Sequence, residues 1–218
     1  MIVTIDGPAG SGKSTAAQGL AARLGFRFLD TGAMYRVVGL LCLQRSADLS
    51  DQPAVTEQAE NVEIRFDGGR VFADGVDVTP AIRTAEATRA ASVVALYAGV
   101  RAAMTSLQRK LAAGSDIVTE GRDQGTIVFP EAECKFFLVA DPEERARRRR
   151  RELQSQGTSI TFDELLRQIH DRDRRDATRR VAPLKRAADA LEINTTKLGS
   201  NEVLLLMEQT VCEKLARP

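Results

Sequence analysis

Apolar positions follow two rhythms along this chain. Residues 2–5 form a short, β-branched apolar run that stops at a cluster of glycines, as a buried parallel strand would. Just beyond, Ala17, Leu20, Ala21 and Leu24 recur on one helical face, and Gly25 supplies a stop. Residues 26–29 read as a second strand, and the segment 30–43, DTGAMYRVVGLLCL, opens a second helix. Strand, helix, strand, helix predicts a parallel sheet wound by helices.

The middle of the chain changes rhythm. Val62-Glu63-Ile64-Arg65-Phe66 alternates apolar and charged residues. The segments Asp67-Gly68-Gly69 and Asp74-Gly75 separate this run from 70–73 and 76–78, which predicts a small antiparallel meander with two Asp-Gly turns. With flanking helices it makes an inserted subdomain at about 37–105, leaving 1–36 and 106–218 as the core. Residues 117–119 and 136–139 resume the buried-strand pattern, and 190–193 read as the last strand.

Composition narrows the function classes. With 218 residues, 43% of them hydrophobic and 28% charged, the chain suits one compact domain with a modest insertion. A net charge of +1 argues against a nucleic-acid binder with a field over its whole surface. The balance is uneven, however. Residues 145–186 hold 14 basic and 6 acidic side chains, a local net of +8 in a mostly helical stretch, so the rest carries −7. Cys42, Cys134 and Cys212 are scattered and odd in number, which suits reduced thiols. Together with the lack of a signal-peptide pattern and of an apolar run near the roughly 20 residues that span a bilayer, this predicts a cytoplasmic protein without a membrane partner.

The most specific chemistry lies in Gly7-Pro8-Ala9-Gly10-Ser11-Gly12-Lys13-Ser14, followed by Thr15. It matches G-x-x-x-x-G-K-[ST] between a predicted strand and a predicted helix, the context that this phosphate-binding loop (P-loop) requires. Glycines let the backbone curl so that successive N–H groups point at phosphate oxygens, and the helix N-terminus adds partial positive charge. Lys13 would reach the β- and γ-phosphates of a nucleoside triphosphate, with the Ser14 hydroxyl set for Mg²⁺. The expected fold class is therefore α/β: a P-loop three-layer parallel-sheet core, a small antiparallel β/helical insert and a helical lid at about 145–186.

Four segments extend the picture: TIDGPAGSGKST at 4–15, LDTGAMYR at 29–36, EGRDQGT at 120–126 and RRDATRRVAPL at 174–184. Joined in this order over nearly the whole chain, they resemble the bacterial CMP kinases. That resemblance implies transfer of the ATP γ-phosphoryl group to CMP, and to dCMP, with Mg²⁺, by a monomer that binds no nucleic acid. It implies Arg36 and Arg122 on the acceptor phosphate, and Arg172 and Arg179 on the transferring and acceptor phosphates. Ser92, Arg101 and Asp123 would read the base or sugar, and Asp176 the ribose. Lys13, Arg122, Arg172 and Arg179 become the catalytic set.

The residues themselves leave some roles open. Thr31 could contact CMP or be the cap of the following helix. Ser92 and Arg101 taken alone read as an exposed helical serine and a surface arginine, and Arg83 could touch ligand or support a hinge. The family often has proline where this chain has Ala98, so the bend before Arg101 could differ. Glu120 could orient a Mg²⁺-bound water or cap a turn, and Gln124 stands where the family more often has an apolar residue. Arg172, Arg175, Asp176 and Arg179 at i, i+3, i+4 and i+7 are expected on one helical face. The five arginines 147–151 wind around their helix, and none is assigned. His170, the single histidine, is not needed as a base, because a phosphate with a second pKa of about 6 is already largely dianionic near neutrality. Two rivals remain. One is a P-loop kinase for another small acceptor, such as a different nucleotide or shikimate, although a simpler small-molecule kinase would have little use for the meander. A nucleotide-dependent switch would want N-K-x-D, which Asn194-Thr195-Thr196-Lys197 does not supply.

Overall fold

The structure, a computed structural model, describes residues 1–155, 157 and 159–216. It resolves into two compact units: Met1–Leu29 with Gly114–Pro218, and Asp30–Ala113.

The first unit is built on a five-stranded sheet in the order β2-β6-β1-β7-β8, from β1 (Ile2–Asp6), β2 (Arg27–Asp30), β6 (Ile117–Gly121), β7 (Cys134–Val139) and β8 (Leu191–Asn194). The β1–β6, β1–β7 and β7–β8 pairs are parallel. Val3, Ile5, Val118, Phe136 and Leu138 are fully buried strand residues, which is why these strands read as continuous apolar runs. Helices α1 (Lys13–Leu24) and α8 (Ser200–Leu215) join the same core through Ala17, Leu20, Val203 and Met207. Register brings Asp6 beside Gly121 and Val139 beside Asn194, so the carboxyl ends of these strands gather along one edge. In open α/β sheets that edge is where ligands bind.

Two helices of the arginine-rich stretch, α6 (Pro142–Ser155) and α7 (Phe162–Thr178), share a small core of Ala146, Leu165 and Ile169. The helical expectation holds for 172–178 but not for Arg179. The helix ends at Thr178, and Arg179 is extended with φ −59° and ψ 139°. Pro183 cannot continue a helix and biases Ala182 away from it. Ala182 takes φ 50°, and the Leu184 N–H turns back onto the Asp176 carbonyl at 2.8 Å.

The second unit holds α2 (Thr31–Gln44), α3 (Gln52–Asn61), the strands β3 (Ile64–Asp67), β4 (Arg70–Ala73) and β5 (Val76–Asp77), and helices α4 (Ala85–Val94) and α5 (Ala98–Ala112). The meander forms as expected, in the order β3-β4-β5 and antiparallel. Its second turn is Asp74-Gly75, but its first is centred on Gly68-Gly69 rather than on Asp67-Gly68. All four central residues have positive φ (54°, 79°, 49° and 81°), matching the twist of a two-residue hairpin. Helix α4 crosses α2 at Gly39, where a Cβ would lie 2.8 Å from the Ala91 amide nitrogen. A bend of 104° separates α4 from α5. It forms without the proline, because Ala98 opens α5, a position where proline is tolerated but not needed. Among the described residues no single helix is long and apolar enough to cross a membrane.

Candidate active site

Asp6 ends β1 and the chain turns at Gly7, where φ is 145° and a Cβ would sit 2.1 Å from the Leu138 carbonyl oxygen. No side chain fits there, so glycine is what lets the loop hug β7. Across the loop, Ser11 Oγ donates to the Pro8 carbonyl at 3.0 Å and Lys13 Nζ donates to the same oxygen at 2.6 Å. Gly12 precedes α1 without a side-chain cap, leaving first-turn amides for an anion. Lys13 is 4% exposed. Burial, reinforced by Arg122 and Arg172 and opposed by Glu120 and Asp6, brings its ammonium down to about 7.

Ser14 Oγ donates to Glu120 Oε1 at 2.9 Å. Glu120 is the next-to-last residue of β6 and is 7% exposed. No group of three or more His, Cys, Asp or Glu side chains able to hold a metal occurs among the described residues. The hydroxyl and carboxylate fit Mg²⁺ nonetheless, because that ion is usually bound by one or two protein oxygens together with substrate phosphates and waters.

The segment after β6 holds Arg122 and Asp123. Arg122 Nε donates to Asp176 Oδ2 at 2.8 Å, and its Nη1 donates to the Gly121 carbonyl at 3.2 Å. Burial tends to raise the Asp176 carboxyl, but Arg122, Arg172 and Arg179 outweigh it and hold it below the ordinary range. Four of the expected site residues thus share one electrostatic neighbourhood, with Lys13 in reach of Arg122 and Arg172. Arg179 joins it from the chain beyond α7, its Nε donating to the Ala182 carbonyl. Arg175 does not join: it is exposed and turns its Nε to the Asp171 carbonyl of its own helix. His170 is exposed on α7.

Asp123 is 4% exposed, and Gln124, at 1%, opens a π-helical turn spanning Gln124–Val128. Gln124 is anchored as a polar residue, its side-chain oxygen accepting from Thr119 Oγ1 at 3.0 Å.

Sequence reasoning missed two buried groups. Asp6 is 3% exposed and accepts the amides of Gln124 and Gly125. An acid closing an apolar strand was the available signal, since an ionised carboxylate is buried only with partners. Arg145, 3% exposed, donates to Asp173 through both Nη atoms and to the Ala9 carbonyl at 3.0 Å, tying α6 and α7 to the phosphate loop. It lay hidden beside the unassigned run 147–151. Within that run Arg148 is half-buried and donates to the Thr195 carbonyl, and Thr195 Oγ1 donates to the Ser11 carbonyl at 3.0 Å.

In the second unit Asp30, not Thr31, caps α2: its Oδ1 accepts from the Ala33 amide at 2.8 Å. Thr31 is the first helical residue and 3% exposed. Asp30 also receives Arg36 Nη2 at 3.1 Å and Arg83 Nη2 at 3.3 Å. Arg36 is therefore held by an acid rather than solvated, and its Nε is buried with no hydrogen-bond partner. Arg101 is 5% exposed, donates to the Ala95 carbonyl at 3.2 Å, and stacks 5.5 Å from the Tyr35 ring centroid. The surface-arginine reading fails. Ser92 keeps to its own helix, donating to the Thr88 carbonyl at 3.1 Å.

Known proteins align with this arrangement over almost all of the chain. The family model described as Cytidylate kinase matches residues 3–213. A cytidylate kinase of Mannheimia succiniciproducens is 47% identical, covering 94% of this chain and 92% of that one. One from Citrifermentans bemidjiense is 46% identical, covering 100% and 95%. Among solved structures, TT1252 from Thermus thermophilus gives a TM-score of 0.51 at 19% identity over 100% of this chain and 98% of that chain. Shikimate kinase from Acinetobacter baumannii gives 0.50 at 16% over 99% and 95%. The structural likenesses establish the fold alone. Sequence identity over nearly the full length establishes more: the chain belongs to the cytidylate kinase family.

Proposed function

We propose that this enzyme transfers the terminal phosphoryl group of ATP to CMP, and to dCMP, giving ADP and the corresponding diphosphate. The observation that carries the reading is the pairing of Arg122 with Asp176 beside the buried Lys13. Lys13, Arg122, Arg172 and Arg179 meet there, donors placed where phosphate oxygens would need them.

In this reading the backbone N–H groups of the loop 7–15, Pro8 excepted, and Lys13 hold the β- and γ-phosphates of ATP. Ser14, with Glu120, would hold Mg²⁺, which supplies charge neutralisation and alignment of the phosphate oxygens when bound. An oxygen of the CMP phosphate attacks the γ-phosphorus while the bond to the β–γ bridging oxygen breaks, so ADP leaves with the electron pair. The attacking oxygen is already anionic, and no base is required. Arg122, Arg172 and Arg179 neutralise charge as it spreads over the transferring group, and Asp176 accepts from the ribose hydroxyls.

The family resemblance supports Thr31 and Arg36 as contacts of the acceptor phosphate, and Ser92 and Arg101 as contacts of the base. Asp30 supports the role of Arg36 by fixing the guanidinium, and Tyr35 does the same for Arg101. A carboxylate such as Asp123 can accept from the cytosine N4 amine, while an arginine such as Arg101 can donate to N3 or O2. Free, scattered cysteines suit work in the cytoplasm. A coupled assay of ADP release with AMP, GMP, CMP, UMP and dCMP tests the proposal. Turnover should be fast with CMP and dCMP and marginal with the purine nucleotides, and turnover with none of the five would refute it.

A further inference from the structure

The segment carrying Arg122 and Asp123 is a short arch, and both its feet rest on one residue. At one end Gly121 is the strand partner of Asp6 in the β1–β6 register. At the other, the amides of Gln124 and Gly125 donate to the two oxygens of the Asp6 carboxylate at 2.9 and 2.8 Å. These amides belong to the first turn of the helix Gln124–Val128, whose N-terminal donors would otherwise lack partners. Asp6 satisfies them from across the sheet, 118 and 119 residues away in sequence.

We propose that Asp6 is a positioning residue for the acceptor: by holding the amides of Gln124 and Gly125 it fixes where Arg122 and Asp123 stand, and so sets how tightly CMP is bound. The inference rests on the reading above, in which those two residues meet the acceptor nucleotide. Stability alone does not account for an acid here. Burial, with a contribution from Asp123 and against the two amides and Lys13, pushes its carboxyl up to about 6. The sign follows: a group raised from 3.8 adds most stability below its unfolded pKa and loses it as pH rises through about 6. At neutral pH the ionised form is thus kept at a cost, and an amide-accepting anion is what that cost secures. The charged groups that face it are Lys13 of α1, and Asp123 and Arg122 of the arch itself.

Asp6→Asn keeps the shape and one acceptor oxygen but turns an NH₂ toward the second amide. In the full chain at pH 7.5, KM for CMP should rise about ten-fold or more while KM for ATP stays within about three-fold. Hydrogen exchange at Gln124 and Gly125, measured without nucleotide, should speed up. A residue needed only for folding would lower the melting temperature and the active fraction, and leave KM for CMP where it was. That result, or faster exchange with an unchanged KM for CMP, overturns the proposal.

Gly125→Ala tests the same foot from the other side, and decides the matter if the asparagine variant does not fold. Its methyl would come 3.0 Å from Thr4 Oγ1, a buried hydroxyl with no hydrogen-bond partner of its own. KM for CMP should rise, and Thr4→Ala in the same chain should restore it. An unaltered KM for CMP in Gly125→Ala also overturns the proposal. Failure of the parent reading is distinguishable, because Arg122→Ala and Asp123→Ala would then leave KM for CMP where it was, whatever Asp6→Asn does.

Discussion

Arg122 and Asp176 meet at 2.8 Å across 54 residues of sequence, joining the end of β6 to the last turns of α7. A guanidinium has five N–H donors, so Asp176 and the Gly121 carbonyl orient Arg122 without exhausting its fork. Both partners are largely buried, at 17% and 18% side-chain exposure. Breaking the pair would cost stability, and under the proposed reaction it would also cost rate; the two effects can be separated experimentally.

Asp176→Ala leaves a buried arginine without its counter-charge. The expected loss is about 3 kcal/mol of folding stability, the low end for breaking a buried pair. Because the Asp176 carboxyl is held below its unfolded value of 3.8, its contribution is present above that pH and is lost as pH falls through the lower folded value. Denaturation by urea between pH 7 and 3 should show the wild type losing stability more steeply than the variant at the acid end. Parallel curves would mean that the pair contributes nothing to the pH dependence.

Lys13→Ala should abolish phosphoryl transfer, with a loss in kcat of about a hundred-fold or more, while the melting temperature changes little. The lysine is buried against the phosphate loop and its charge is disfavoured there, so deletion relieves a cost rather than opening the core. Single-turnover assays with CMP present would check this, and near-normal turnover would remove Lys13 from the donor site.

Arg179→Lys keeps the charge but loses the planar fork. Charge-assisted hydrogen bonds are worth about 1.5–3 kcal/mol, so kcat should fall roughly ten- to a hundred-fold. Steady-state kinetics matching the wild type in both kcat and KM would show that the segment after α7 does not touch the transferring phosphate.

Much of this architecture is legible from residue patterns, for identifiable reasons. Ile2–Asp6 and Lys13–Leu24 are read correctly because apolar runs and helical spacing report burial directly. The meander is legible because only certain residues accept positive φ, and Gly68-Gly69 and Asp74-Gly75 supply them. What spacing cannot see is contact across the chain. Arg101 looks like a surface residue until Tyr35 and the Ala95 carbonyl enclose it, and Asp30 takes the capping role that Thr31 could equally have filled. Arg179 is misread for another reason. Nothing in Asp176-Ala177-Thr178-Arg179 breaks a helix, and the stop comes from Pro183 and the chain folding back on Asp176.

The central claim is that this kinase selects cytosine, and one ratio tests it. Uracil presents a carbonyl where cytosine has its N4 amine, and an N–H where cytosine has the N3 acceptor. On the proposed pairing, the Asp123 carboxylate would then oppose an oxygen and the Arg101 guanidinium would oppose a donor, so both contacts would turn repulsive. Such mismatches can give discrimination of order 10⁴, softened by any water in the cleft. The measurement is kcat/KM for CMP against UMP under identical Mg²⁺ and ATP, in the wild type and in Asp123→Ala. The account predicts a preference for CMP of at least about a hundred-fold, narrowed in the variant. Wild-type values within a few-fold of each other would contradict it, even with kinase activity intact.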